Sequence, residues 1–306
     1  MAFDDLSGPL ASVVAITVTP FDADGGIDEK NYAAIVARMV DGGVSVVTPN
    51  GNTSEFYALT AAEVDRAVGV TVQAAAGRAT VIAGVGYDVE SATRQARAAS
   101  AAGAQAVMVH QPLHPYQSAN GWVAYHRAIA DAVPELGVVC YVRNPYLPPA
   151  AFAALADVSP NVVGVKYAVP DVLALTDAVA AVDADRLVWV CGLAETWAPF
   201  FWLAGARGFT SGLATIAPEL SVRLLHHLRA GDQPAAMALW SLLKPIEDLR
   251  ARDGSADNVS VVKEALAQLG LCDRAVRPPS TELSAVDRAA VAGILRSWQH
   301  VQPAVA

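Results

Sequence analysis

The chain reads as an α/β protein, a (β/α)8 barrel followed by a C-terminal three-helix extension. Two observations carry that expectation. Eight short, continuously apolar, β-rich runs recur with starts about 20–35 residues apart, and Ala-rich amphipathic stretches separate them. Beyond about residue 230 the pattern becomes purely helical. Apolar strands alternating with helices mean a parallel sheet covered on both faces. Eight such units within about 225 residues suit a closed barrel better than an open sheet.

The strand candidates are ASVVAITVTP (11–20), VSVVTP (44–49), ATVIAGVG (79–86) and AQAVMVH (104–110), then GVVCYV (137–142), VVGVKYAV (162–169), RLVWVCG (186–192) and RGFTSG (207–212). DEKNYAAIVARMVDGG (28–43) and TAAEVDRAVGVTVQAAAG (60–77) exemplify the helices between them. In the second, Thr60 with Glu63 three residues on is a capping-box signature. The late helices are PAAMALWSLLKPIEDLRAR, NVSVVKEALAQLGL and SAVDRAAVAGILRSW. The expected organisation is a barrel over 1–230 and a helical extension over 231–306, with no low-complexity linker between them.

Composition narrows the function. The 306 residues are 54% hydrophobic and 17% charged, which excludes disordered, collagen-like and disulfide-scaffold classes. No stretch reaches the roughly 18–20 uninterrupted apolar residues of a membrane span. The opening MAFDDLSG is acidic and lacks the basic-then-apolar pattern of a signal peptide, so a cytoplasmic location is expected. Net charge is −9 with no basic run, which argues against nucleic acid or an anionic membrane as partner. A small anion remains possible, since helix N-termini and one or two local cations can bind one. Cys140, Cys191 and Cys272 are odd in number, far apart and without a CxxC, so they read as core filler in a reducing compartment.

In a barrel, chemistry sits at the C-terminal ends of the strands. Lys166 lies inside a run that otherwise reads as a buried strand; burial favours the neutral amine and lowers its pKa. A neutral amine in a dry pocket is what attack on a carbonyl carbon requires. The competing reading is a lysine paired to a buried carboxylate, or one reaching solvent at the strand end. Tyr141 closes the preceding strand, so its hydroxyl could approach the Lys166 amine and move protons, or it is simply a rim aromatic. After strand two, PNGNTSEF (49–56) offers Asn52, Thr53, Ser54 and backbone N–H groups suited to a carboxylate, or is an ordinary polar turn. Ser211 and Gly212 end the last strand with small residues that admit a ligand. His110 and His114 stand four apart, but PLHP reads as a loop, so helical ligand spacing does not apply and no metal site is expected.

Together these segments resemble the dihydrodipicolinate synthase / N-acetylneuraminate lyase family of class I (Schiff-base) lyases, over nearly the whole chain. The markers are ITVTPFD (16–22), GNTSE (51–55), the tyrosine of VCYVRNP (139–145), the lysine of GVKYA (164–168) and GFTSG (208–212). The resemblance implies Lys166 as the imine-forming residue, Tyr141 as the proton relay, no cofactor, and a tetramer built from two tight dimers. The departures bear on substrate. The family's synthases place an arginine later than Arg143, carry a second tyrosine where His114 stands here, and commonly end strand seven in Gly-Asp-Asp rather than CGLAE (191–195). Tyr141-Val142-Arg143-Asn144, the Gly-Leu strand end and LRARDGSADNVSVVKEAL (249–266) instead resemble 5-dehydro-4-deoxyglucarate dehydratases.

The implied mechanism has Lys166 attack the keto carbon of a 2-oxo acid whose carboxylate rests on Thr53 and the amides of residues 52–54. The imine then acts as an electron sink. In a dehydratase a C3 proton leaves and the C4 hydroxyl departs with proton help from Tyr141; in an aldolase the C3–C4 bond breaks and pyruvate is released. Arg143 could grip a distal carboxylate bidentately or merely hold its loop, and Ser211 could contact substrate. Dehydration and aldol cleavage share their first half and both stay open. So does a non-catalytic sugar-acid-binding role. A phosphate-handling barrel is disfavoured, because LAETW and LATIAP supply no Gly-rich loop after strands seven and eight.

Overall fold

Side-chain alternation along each strand sorts the apolar residues into two cores. In the computed structural model, which describes residues 3–299, the strands are β1 (Val13–Ile16), β2 (Val46–Thr48), β3 (Thr80–Val85), β4 (Ala106–Val109), β5 (Gly137–Val142), β6 (Val162–Tyr167), β7 (Val188–Cys191) and β8 (Gly208–Ser211). All are parallel and pair in sequence order, with β8 closing on β1. Val14, Ile16, Val46, Ile82, Met108, Val139 and Val190 fill the interior. Val13, Ala15, Val107, Val109, Cys140, Val165, Trp189 and Phe209 face outward to the helices. Each expected strand is present; β5 matches its expected range, and the others are shorter than theirs, as in β1, where Thr17 to Pro20 lie beyond the strand.

Eight helices cover the barrel: α2 (Glu29–Asp41), α3 (Ala61–Ala75), α4 (Val89–Ala102), α5 (Ala119–Ala132), α6 (Ala150–Val158), α7 (Val172–Ala180), α8 (Ala194–Leu203) and α9 (Pro218–Ala230). Side-chain caps fix the starts of five of them, α2 to α5 and α7. Thr60 and Glu63 form the reciprocal capping box at α3, and Asp28, Asp88, Ser118 and Asp171 each accept from a backbone N–H in the first turn of their helix.

The N-terminal end of the barrel is stoppered. The short α1 (Ser7–Leu10) and the residues before it send Leu6 and Leu10 into the interior cluster. Glycines at the first positions of β5 and β8 make room for them: a Cβ on Gly137 would lie 2.3 Å from Leu6 Cδ1, and one on Gly208 would lie 2.2 Å from the Leu10 carbonyl oxygen.

Three further helices follow Gly231, which ends α9 in a left-handed conformation (φ +68°). They are α10 (Gln233–Ser255), α11 (Asn258–Gln268) and α12 (Ala285–Trp298). Leu243, Ile246, Val261, Val262, Leu266 and Trp298 belong to the same hydrophobic cluster as the barrel's outer core, so the extension packs as part of one body. Residues 300–306 of the expected extension lie outside the described residues. The last turn of α10 is broken: Arg252 is extended, and Asp253, Gly254 and Ser255 are left-handed. Among the described residues no helix is long and apolar enough to cross a membrane.

The stopper gives the first prediction. In Gly208→Ala the new methyl meets backbone rather than a movable side chain, so the barrel floor must shift. Thermal or denaturant unfolding should show a loss of about 3 kcal/mol or more.

Candidate active site

The β5–β6 register sets the site. Tyr141 and Lys166 are direct neighbours across the two strands, and parity turns both side chains inward. The Lys166 amine lies 4.1 Å from the centroid of the Tyr141 ring. Lys166 is 5% exposed, and no carboxylate pairs with it among the described residues. Burial, reinforced by the nearby Arg143 guanidinium, pulls its pKa from the ordinary lysine value down to about 7. Burial acts the other way on Tyr141, raising its pKa and keeping the phenol protonated. The paired-lysine alternative therefore does not describe this residue.

The β2–α3 loop supplies the adjoining wall. Its shape is forced by Asn50 and Glu55, both left-handed (φ +60° and +58°), and by Gly51, where a Cβ would lie only 2.4 Å from Ile16 Cγ2. Within it the amides of Ser54 and Glu55 are spent on the carbonyls of Gly51 and Asn52, whereas those of Asn52 and Thr53 have no partner among the described residues. Asn52 and Thr53 both line the cavity, and the Asn52 amide donates to the Tyr141 hydroxyl (3.1 Å).

Ser54 does not join them. Its hydroxyl accepts from Gly51 N (3.1 Å) and donates to the Thr17 carbonyl (2.5 Å), facing β1 and bracing the loop from behind. Ser211, expected at the substrate, is also turned away. It shares parity with Phe209, which points outward, so its hydroxyl donates to Glu195 (2.6 Å) between α8 and α9. Thr210 and Gly212, one residue to either side, take the inward positions and line the cavity.

Arg143 lines the mouth, with its side chain exposed and its backbone N–H donating to Gln111 (3.1 Å). His114 sits on an exposed segment, its Nδ1 2.8 Å from the Tyr116 carbonyl, outside the cavity lining of this single chain. His110 is buried against the Asn50 carbonyl (2.7 Å) and stacked on Phe56, and burial pulls its pKa down to about 3. It holds the loop as a neutral ring. Among the described residues no group of three or more His, Cys, Asp or Glu could hold a metal ion.

The cavity, about 200 Å³, continues from Lys166 past Gly192, Leu193, Thr196 and Trp197 to Glu247, Arg250, Ser255 and Asn258. The last four come from α10 and α11, so the extension builds part of the site. The extension also braces the β2–α3 loop. Lys263, fully buried on α11, pairs with Glu55 at 2.5 Å, and the Arg277 backbone N–H donates to the other Glu55 oxygen at 2.7 Å. The Arg277 side chain binds Glu63 and the Ala58 and Gly25 carbonyls.

The chain as a whole has counterparts among known proteins. The model of the dihydrodipicolinate synthetase family matches residues 9–297. The chain belongs to that family. Curated relatives named probable 5-dehydro-4-deoxyglucarate dehydratase are similar along almost their whole length. That from Methylobacterium radiotolerans is 34% identical over 290 residues, covering 93% of this chain and 94% of the relative. That from Rhodococcus opacus is 32% identical over 291 residues, covering 94% of each. Solved structures titled dihydrodipicolinate synthase are also similar. The protein from Oceanobacillus iheyensis is 38% identical with a TM-score of 0.93, covering 98% of this chain and 100% of that one. That from Bacillus clausii is 42% identical with a TM-score of 0.92, covering 96% and 99%. Family and relatives together make this chain a lyase or dehydratase of the dihydrodipicolinate synthetase family.

Sequence reading missed Glu195, Glu247, Arg250 and Asn258. In sequence Glu247 and Arg250 are an ordinary charge pair three apart on one helix, and only the fold shows them buried; the one sequence signal for Glu195 is the unusual CGLAE strand end. Glu195 is buried, accepts from Ser211 and Ser221, and is pushed well above the usual carboxylate range by burial and by the charge of Glu247.

Holding Lys166 neutral has a cost in stability. Between pH 7 and 10 the unfolded chain keeps this lysine protonated while the folded one does not, so wild-type stability rises with pH across that window. Lys166→Met removes the cost. Thermal unfolding at pH 7 should show the variant more stable by about 1–3 kcal/mol, with the gain shrinking toward pH 10.

Proposed function

We propose that the chain is a Schiff-base lyase that dehydrates a 2-keto-3-deoxy sugar acid resembling 5-dehydro-4-deoxyglucarate. The observation that carries this is the Lys166 amine, unpaired and shifted toward neutrality, inside a cavity beside a protonated Tyr141. The substrate's C1 carboxylate would rest on Thr53 and the free amides of Asn52 and Thr53, which sets the C2 keto carbon at Lys166. The amine adds to that carbon, and loss of water leaves a protonated imine. The imine acidifies C3 by accepting the electron pair of its C–H bond, and the released proton passes through water to replace the one Tyr141 gives up in the next step. The resulting enamine expels the C4 hydroxyl, which leaves as water with a proton from Tyr141, and hydrolysis of the imine releases the product and restores the amine. Asn52 holds the Tyr141 hydroxyl in place for that transfer.

Dehydration is favoured over the synthase reaction by the relatives named as dehydratases and by the position of Arg143 directly after the Tyr141–Val142 pair. The second reading, a pyruvate-dependent aldolase or condensing enzyme of the dihydrodipicolinate synthase type, is favoured by the titles of the solved structures at 38% and 42% identity. Both pass through the same imine, so the product separates them.

The test is borohydride trapping followed by peptide mapping, with pyruvate and separately with 5-dehydro-4-deoxyglucarate. An adduct on Lys166, absent in Lys166→Ala, is expected, with water loss from the sugar acid seen by product analysis. No adduct from either acid would favour a sugar-acid-binding protein without catalysis. The trapping rate should rise through about pH 7 and level off above it, because only the neutral amine attacks. Arg143→Gln removes a cation that disfavours protonation of Lys166, so its profile should move to higher pH.

A further inference from the structure

Arg250, on the last regular turn of α10, is 6% exposed and lines the cavity. It is held on two sides. Nη1 donates to Glu247 at 2.6 Å, while Nε and Nη2 both donate to the Asn258 side-chain oxygen at 3.1 and 2.8 Å. A guanidinium has five N–H groups, so these three bonds leave one on each terminal nitrogen. Two parallel N–H groups on a planar fork match the two oxygens of a carboxylate. Beside the fork lies Gly212, the residue after strand β8: a Cβ there would lie 2.5 Å from Arg250 Nη2, so glycine keeps the fork's position open. Glu247 balances the arginine's charge. Protonation of the neighbouring Glu195, favoured by its burial, limits the repulsion an incoming anion would meet.

We propose that Arg250 receives the second carboxylate of a dicarboxylic 2-oxo acid, at the part of the cavity wall built by the C-terminal extension. This rests on the reading of Lys166 as the imine-forming residue, and it assigns the distal carboxylate to Arg250 rather than to Arg143. The difference is preorganisation. Arg143 is exposed at the mouth, and the bond that holds its segment is made by its backbone. The Arg250 guanidinium is already desolvated and fixed, so binding an anion there costs little further ordering.

The experiment compares two six-carbon acids differing at the far end, 2-oxoadipate and 2-oxohexanoate, by the concentration that half-saturates borohydride trapping on Lys166. Wild type should prefer 2-oxoadipate by tenfold or more. Arg250→Gln should reduce the preference to within twofold, Arg250→Lys should leave an intermediate value, and Arg143→Gln should keep it. Because Arg250→Gln strands a buried Glu247, the double variant Glu247→Gln/Arg250→Gln is measured alongside, and the ratio is taken within each preparation so that partial loss of folding cancels. A tenfold preference surviving in Arg250→Gln and in the double variant, or lost in Arg143→Gln instead, would overturn the assignment.

A second readout does not need the imine. Adipate should raise the wild-type Tm more than hexanoate, and this difference should vanish in Arg250→Gln. If no keto acid labels Lys166 but the adipate difference behaves this way, the imine reading falls and the carboxylate site stands. Absence of the adipate difference in wild type counts against the site even when trapping succeeds.

Discussion

An amine that must lose its proton inside a closed barrel is the constraint on which this structure turns. A lysine at the middle of a buried strand normally finds a carboxylate or reaches water. Lys166 does neither. Its neighbours across the sheet are Tyr141 and Val190, and its nearest cationic influence, Arg143, opposes protonation as burial does. The protein thus carries a group whose preferred state is wrong for stability and right for nucleophilic attack. The other inward buried charges are treated differently: Glu247 and Arg250 neutralise each other.

The C-terminal extension is where this barrel departs from a self-contained eightfold unit. It supplies a wall of the cavity through α10 and α11, and it holds the β2–α3 loop through Lys263, Arg277 and Glu55. The loop needs that support, since it contains two non-glycine residues in left-handed conformations. The Glu55 carboxylate is taken up behind the loop by Lys263 and Arg277, while Asn52 and Thr53 line the cavity with their backbone amides unpaired among the described residues. The cavity therefore has two unlike walls: the β2–α3 loop with its unpaired amides, and the C-terminal extension with Glu247, Arg250 and Asn258.

The barrel was legible because most of its strands are short apolar runs that recur at regular spacing between amphipathic helices. Lys166 stood out for the same reason, as a charge where hydrophobic periodicity demands an apolar side chain, and Tyr141 followed from strand adjacency. Ser211 is turned away because small residues at a strand end do not by themselves mark the inner face; Phe209 is apolar and fixes the outward face, which puts Thr210 inside. Ser54 went astray because a polar loop residue can face substrate or brace the loop, and only the bond to Thr17 decides. Arg250, Glu247 and Asn258 lie on helices whose docking against the barrel no local pattern specifies, so their place at the cavity emerges only in three dimensions.

The most direct test is the ionisation of Lys166 itself. The chain has four lysines, Lys30, Lys166, Lys244 and Lys263, so 13C-lysine labelling resolves each Cε resonance and single substitutions assign them. The account predicts that the Lys166 resonance titrates with a midpoint near pH 7 in the free protein. A midpoint near the ordinary lysine value, about 10.4, would contradict it, because the amine would then be a solvated or paired cation with no lone pair to offer a carbonyl at neutral pH.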